Sequence, residues 1–172
     1  MNENFSKAYD GFLQPGFIRI VVDGLFSLEI PDYLEKTAGL SEGAPFQYLN
    51  LTKKLLVIAL WEEKSEVEKT DLVGDIIQYY NHVSQQVAQK LEEADIKRAS
   101  SKWVHGLNAL QGAVSGRFQG TSLRYVIEVL EGKTHYFQVI CWTETRKLNE
   151  VAHDMHILIN SFKELRRNND NG

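Results

Sequence analysis

The sequence predicts an α+β domain in which an antiparallel β-sheet is covered by helices, an α/β/α sandwich. Three observations carry this. Short runs of alternating apolar residues are joined by tight-turn dipeptides. One strand-like run, residues 55–61, is apolar throughout, as a strand covered on both faces should be. Two longer segments repeat apolar residues three and four apart, the period of an amphipathic helix.

Residues 17–22 alternate, with Ile18, Ile20 and Val22 on one face, and residues 25–30 alternate again through Phe26, Leu28 and Ile30. Asp23-Gly24 between them is a strong hairpin signal, because a tight primed turn needs positive φ at both central positions. Pro31 ends the second strand, since it has no N–H to give to a ladder. A loop rich in turn residues spans 37–45, and strands 46–50 and 55–61 follow. Residues 71–91 form a helix, with Leu72, Val73, Ile76, Ile77, Tyr80, Val83, Val87 and Leu91 on its inner face. Its start is open between Thr70 as the cap and a capping box of Ser65 with Glu68. After a charged connector, 92–102, three alternating runs make a meander: 107–118, 123–130 and 135–143, turning at Gln119-Gly120 and Glu131-Gly132. Residues 148–165 close the chain as a helix whose apolar stripe includes Met155, Leu158, Phe162 and Leu165. The expected organisation is an arm over 1–16, one domain over 17–165 and a disordered tail over 166–172.

Composition excludes several classes. The chain has 172 residues, 43% hydrophobic and 24% charged, which rules out collagen-like and intrinsically disordered readings. A net charge of −4 has the wrong sign for a dedicated nucleic-acid binder. No apolar run approaches the ~20 residues of a spanning helix, and no signal-like segment opens the chain, so a cytoplasmic protein without membrane insertion is expected.

Chemistry-bearing residues are few. The single cysteine, Cys141, sits between Ile140 and Trp142 in an apolar strand, where cysteine behaves as a small hydrophobe. His135 shares its face but lies six residues away, about 20 Å at strand rise, too far to serve as its base. Ser115-Gly116 lacks the glycine that a nucleophile elbow needs two residues before the serine, where Ala113 stands. His153 and His156 are one helical turn apart with no third metal ligand evident, and His105 has no assignable role. No phosphate loop, dinucleotide fingerprint or zinc-protease helix is present. The expectation is a protein without catalytic residues, cofactor or metal.

Two features concern binding surfaces. Gly112 and Gly116 share a strand face with Leu110 and Val114, and missing side chains inside a strand mark close approach by a ligand or another backbone, the protein's own helix included. At the N-terminus Phe5, Tyr9 and Phe12 have helical spacing and form a candidate docking arm. A twofold homodimer is the simplest way to bury such a patch.

The run Phe26-Ser-Leu-Glu-Ile-Pro31, the strands Leu-Leu-Val-Ile-Ala-Leu-Trp (55–61) and Tyr-Phe-Gln-Val-Ile-Cys-Trp-Thr (136–143), and the helix ending Ile-Asn-Ser-Phe-Lys (159–163) together resemble the PsbP-like superfamily. That superfamily includes the photosystem II extrinsic protein, the Ran-binding Mog proteins and bacterial DcrB-like domains. The resemblance spans residues 17–165 and implies the α/β/α sandwich just described. It also implies a bacterial accessory or chaperone-like protein that binds another protein, with no catalytic signature to carry over. A carrier of a small apolar ligand, held between sheet and helix, is the alternative.

Overall fold

The computed structural model describes residues 13–70 and 73–165. Eleven strands, three helices and one 3₁₀ turn follow one another among these residues: β1 (Phe17–Val22), β2 (Phe26–Pro31), β3 (Glu35–Lys36), β4 (Phe46–Asn50), β5 (Leu55–Glu63), α1 (Lys64–Glu68), α2 (Ile76–Ala88), β6 (Glu92–Ile96), β7 (Ser100–Val104), β8 (Leu107–Phe118), β9 (Thr121–Glu131), β10 (His135–Glu144), the turn Thr145–Lys147, α3 (Leu148–Asn160) and β11 (Lys163–Glu164). Eight strands form one antiparallel sheet in the order β3-β4-β5-β10-β9-β8-β6, with β7 also pairing to β8. β1, β2 and β11 form a separate three-stranded sheet.

The large sheet divides two cores. On one face α2 lays Ile76, Tyr79, Tyr80, Val83 and Val87 over Val114, Ile127, Val129 and Tyr136. On the other, α3 and the small sheet together cover Leu55, Val57, Leu130, Val139 and Cys141. Phe26, Phe137 and Phe162 meet there, with ring centroids 5.0 Å apart for Phe26–Phe162 and for Phe137–Phe162. The architecture is the expected α+β fold with helices on both faces. The N-terminal hairpin, however, is not part of the main sheet. β2 pairs with β1 on one edge and β11 on the other, and its buried Phe26, Leu28 and Ile30 pack on the main sheet as a layer beside α3.

The Asp23-Gly24 turn forms as its residues require. Their φ values are 49° and 67°, and Leu25 N–H donates to the Val22 carbonyl at 2.9 Å. Several boundaries differ from the sequence reading. α2 starts at Ile76, where the Asp75 side chain accepts from the Gln78 N–H and the Gln78 side chain accepts from the Gly74 N–H at 2.5 Å. Thr70 and the Ser65/Glu68 pair are not its caps; Ser65 and Glu68 belong to the short α1. The inner face of α2 buries Ile76, Tyr80, Val83 and Val87 as expected, but it adds Tyr79, which is fully buried, and leaves Ile77 59% exposed. The charged connector holds two strands, β6 and β7, which lie along one edge of β8. Finally, α3 ends at Asn160. Lys163–Glu164 pairs with β2 as β11 and Leu165 N–H donates to the Leu25 carbonyl, so the chain beyond α3 leaves the helix before Phe162 and Leu165.

Candidate functional site

Gly112 and Gly116 face α2, and the chain itself fills the space. A Cβ at Gly112 would collide with the Tyr80 hydroxyl, and one at Gly116 would lie 2.7 Å from the Leu91 Cβ. The glycines therefore let α2 and the residues that follow it approach the sheet. Phe5, Tyr9 and Phe12 lie outside the described residues.

Cys141 is fully buried. Burial, and secondarily the nearby Glu128 carboxylate, pushes its thiol well above the ordinary range. Ser115 accepts a hydrogen bond from Arg124 at 3.0 Å. His153 and His156 are exposed, and no group of three metal-ligating side chains occurs among the described residues. His105 Nδ1 lies 2.8 Å from the Phe162 carbonyl, which ties the β7–β8 turn to the end of the last helix.

The feature that sequence reasoning missed is a buried carboxylate. Glu128, in the middle of β9, faces the α3 side of the sheet and is fully buried. Lys102, reaching inward from β7, places its Nζ 2.6 Å from Glu128 Oε2. The same ammonium donates to Gln111 Oε1 on β8 and to Asn160 Oδ1, 2.7 Å away at the end of α3. Neither Glu128 oxygen accepts a hydrogen bond of good geometry. Burial therefore pushes the Glu128 carboxyl up to about 7, with Lys102 pulling in the opposite direction. Four elements, β7, β8, β9 and α3, are thus joined through one lysine.

Beside this cluster, between α3 and the β8–β9 face, lies a groove of about 210 Å³ that opens to solvent where Ala152 and His156 are exposed. Val126, Leu148, Ala152, Met155 and Ile159 give it apolar walls, while Gln111 and His156 supply its polar groups. A larger depression of about 450 Å³, at the β8–β9 turn, is lined by Gly120, Thr121, Ser122, Glu144 and Arg146. There Arg146 already pairs with Glu144 at 2.5 Å, and none of its lining residues is buried.

The third feature is an edge. Among the described residues β7 pairs with β8 alone, and its Trp103 is 75% exposed. Lys102 and Val104 point to the α3 side, so Trp103 projects on the face that α2 covers. Its register partner is Asn108, four residues along β8 from Gly112, where Tyr80 sits. With Leu91 at Gly116, α2 and β8 run the same way, and the exposed Ile77 lies towards the Trp103 end.

No protein-family model and no curated protein sequence matches the chain. Solved structures do. The solution structure of cyanobacterial PsbP (CyanoP) from Synechocystis sp. PCC 6803 is similar with a TM-score of 0.65 and 14% identity, covering 90% of this chain and 95% of that one. LpqN, involved in cell envelope biogenesis of Mycobacterium tuberculosis, is similar with a TM-score of 0.58 and 13% identity, covering 94% and 96%. The Ran-binding protein Mog1p of Saccharomyces cerevisiae is similar with a TM-score of 0.57 and 8% identity, covering 87% and 95%. The shared feature is the PsbP-like fold. No helix among the described residues is long and apolar enough to cross a membrane.

Proposed function

We propose that this PsbP-like chain is a non-enzymatic accessory protein, chaperone-like in acting by contact alone, whose partner is another protein. The supporting observation is Trp103: a large side chain 75% exposed, on a strand whose outer edge is unpaired among the described residues. Tryptophan is enriched among the residues that dominate binding energy at protein interfaces, and an open strand edge offers main-chain hydrogen bonds to an incoming segment. That a structural neighbour, Mog1p, is a Ran-binding protein is in keeping with this use of the fold. The net charge of −4 argues against nucleic acid as the partner. A cytoplasmic location and a homodimer belong to the same proposal, with Phe5, Tyr9 and Phe12 as a second contact.

The test is affinity capture from the native organism with the wild type and with Trp103→Ser. The variant should keep the wild-type melting temperature and lose a stoichiometric partner by tenfold or more. Equal recovery by both proteins removes the edge from the interface. Deleting residues 1–13 and measuring light scattering tests the arm separately: unchanged assembly and unchanged capture exclude it.

A second reading is favoured by a specific feature. The groove between α3 and the sheet lies where the carrier alternative puts a small apolar ligand, and its walls are aliphatic.

A further inference from the structure

We propose that β7 takes up an extended segment of a partner protein as an added strand, and that this segment alternates apolar residues with acidic ones. The inference rests on the protein-binding reading and names what the β7 edge selects.

The turn after β7 determines where its main-chain groups point. His105 and Gly106, with φ of 44° and 81°, form a two-residue primed turn, so Val104 and Leu107 close the β7–β8 hairpin as a hydrogen-bonded pair. Bonded and non-bonded pairs alternate along an antiparallel ladder. Lys102–Ala109 and Ser100–Gln111 are therefore bonded, and Ser101 and Trp103 turn their N–H and C=O groups outward. Two donors and two acceptors thus stand on the edge in the alternation that an incoming strand uses.

The other edges of the main sheet are guarded. β3 has only two residues, both charged, and β6 carries Glu92, Glu93 and Asp95 with a register shift between Glu92 and Asp95. β7 has neither device. Its one charged residue, Lys102, turns inward to Glu128 and leaves the edge unguarded.

Side chains set the pattern of the segment, because an added strand places alternate residues on the two faces of the sheet. On the face that α2 covers they meet the exposed Trp103 and Ile77, and are apolar. Ala99 packs into the α2 core, so Arg98 before it takes the opposite face, exposed and without an ion pair among the described residues. From Lys97 to Gly106 the chain holds no carboxylate, and Lys97 and Lys102 are already paired with Asp95 and Glu128. Arg98 is the cation left for a partner, and an acidic side chain is its complement. A second copy would bring the same carboxylate-free strand, so a different protein supplies the segment.

A displayed library of random peptides is the probe. Selection on the full chain should enrich sequences in which apolar residues alternate with aspartate or glutamate. Ser101→Pro removes one outward N–H and no bond to β8, so this variant should melt with the wild type. It should bind the selected peptides at least tenfold more weakly, and Arg98→Glu about fivefold more weakly, the worth of one exposed ion pair. Hydrogen exchange on the wild type needs no substitution: a bound peptide should slow the Ser101 and Trp103 amides and leave that of Lys102, already bonded to β8, unchanged. Peptides lost with Trp103→Ser but kept by Ser101→Pro, with no added protection at the two amides, retain β7 as an interface and overturn strand addition. Enriched peptides rich in lysine or arginine overturn the acidic assignment. Enrichment of peptides like β7 itself makes a second copy the occupant and overturns the foreign partner. Binding indifferent to all three substitutions, or no enrichment at all, overturns the proposal and removes β7 from the protein-binding reading.

Discussion

Replacing Phe162 by alanine removes a ring that is fully buried where α3, the small sheet and the main sheet meet. The ring stacks on Phe26 at 5.0 Å and lies against Phe137 at the same distance. Truncating a buried phenylalanine costs about 3–5 kcal/mol. Each aromatic pair adds roughly 0.5–1.5 kcal/mol beyond area burial. Both of these pairs would be lost, which places Phe162→Ala near the upper end, about 4–5 kcal/mol. For a chain of this length each kcal/mol moves the melting temperature by about 2–4 °C. The expected fall is therefore roughly 8–20 °C, read by circular dichroism during a reversible thermal scan. A urea titration should show the midpoint moving with an unchanged slope, because the surface exposed on unfolding is nearly the same. A melting temperature within about 2 °C of the wild type would refute the claim that this cluster closes the core.

Three further outcomes follow from the same geometry. Glu128 titrates at about 7 in the folded protein, above its ordinary 4.5, so the folded state holds the proton more tightly. Its contribution is thus fully favourable below about 4.5 and is lost as pH rises towards 7, by up to roughly 3 kcal/mol; Glu128→Gln should flatten that slope in urea titrations across pH 4–8, and an unchanged slope would contradict the assignment. Gly112→Ala should destabilise by about 1–3 kcal/mol, because the added methyl meets the Tyr80 hydroxyl. That hydroxyl is buried without a hydrogen-bond partner, so Tyr80→Phe alone should be neutral or stabilising and should recover part of the Gly112→Ala loss in the double variant; no recovery would mean that the contact is not the cause. Cys141 should react with a thiol reagent at least a hundredfold slower in the native state than in denaturant, and equal rates would show that its strand is not buried.

The parts of this fold that were legible in the sequence are those where local chemistry and burial agree. Asp23-Gly24 between two alternating runs specified its hairpin, and the apolar run at 55–61 specified a strand covered on both sides, because each pattern has one physical solution. β6 and β7 were not legible. They lie at the sheet edge, and Glu92, Glu93 and Asp95 are exposed, so their composition reads as a connector. Most of the inner face of α2 was legible, but Ile77 extends the apolar stripe on paper while the sheet selects Tyr79, which stacks on Tyr136 at 4.5 Å and donates to Glu62. At the C-terminus, Phe162 and Leu165 continue the helical spacing of α3. Pairing of β11 with β2 ends the helix first, because the small sheet supplies partners that the sequence pattern does not reveal. Glu128 was hidden for a similar reason. In an alternating strand a glutamate reads as the wet face, and its burial becomes visible when Lys102, from a segment taken as connector, is seen crossing β8 to reach it.

Site-specific photo-crosslinking in living cells tests protein binding at the β7 edge most directly. A photoreactive residue is placed at position 103 in one strain and at position 85, on the exposed side of α2, in another. Protein binding at that edge predicts one dominant crosslinked species from position 103, of constant mass and identifiable by mass spectrometry, and its absence from position 85. The same species from both positions, or no protein crosslink from position 103 at full expression, would contradict it.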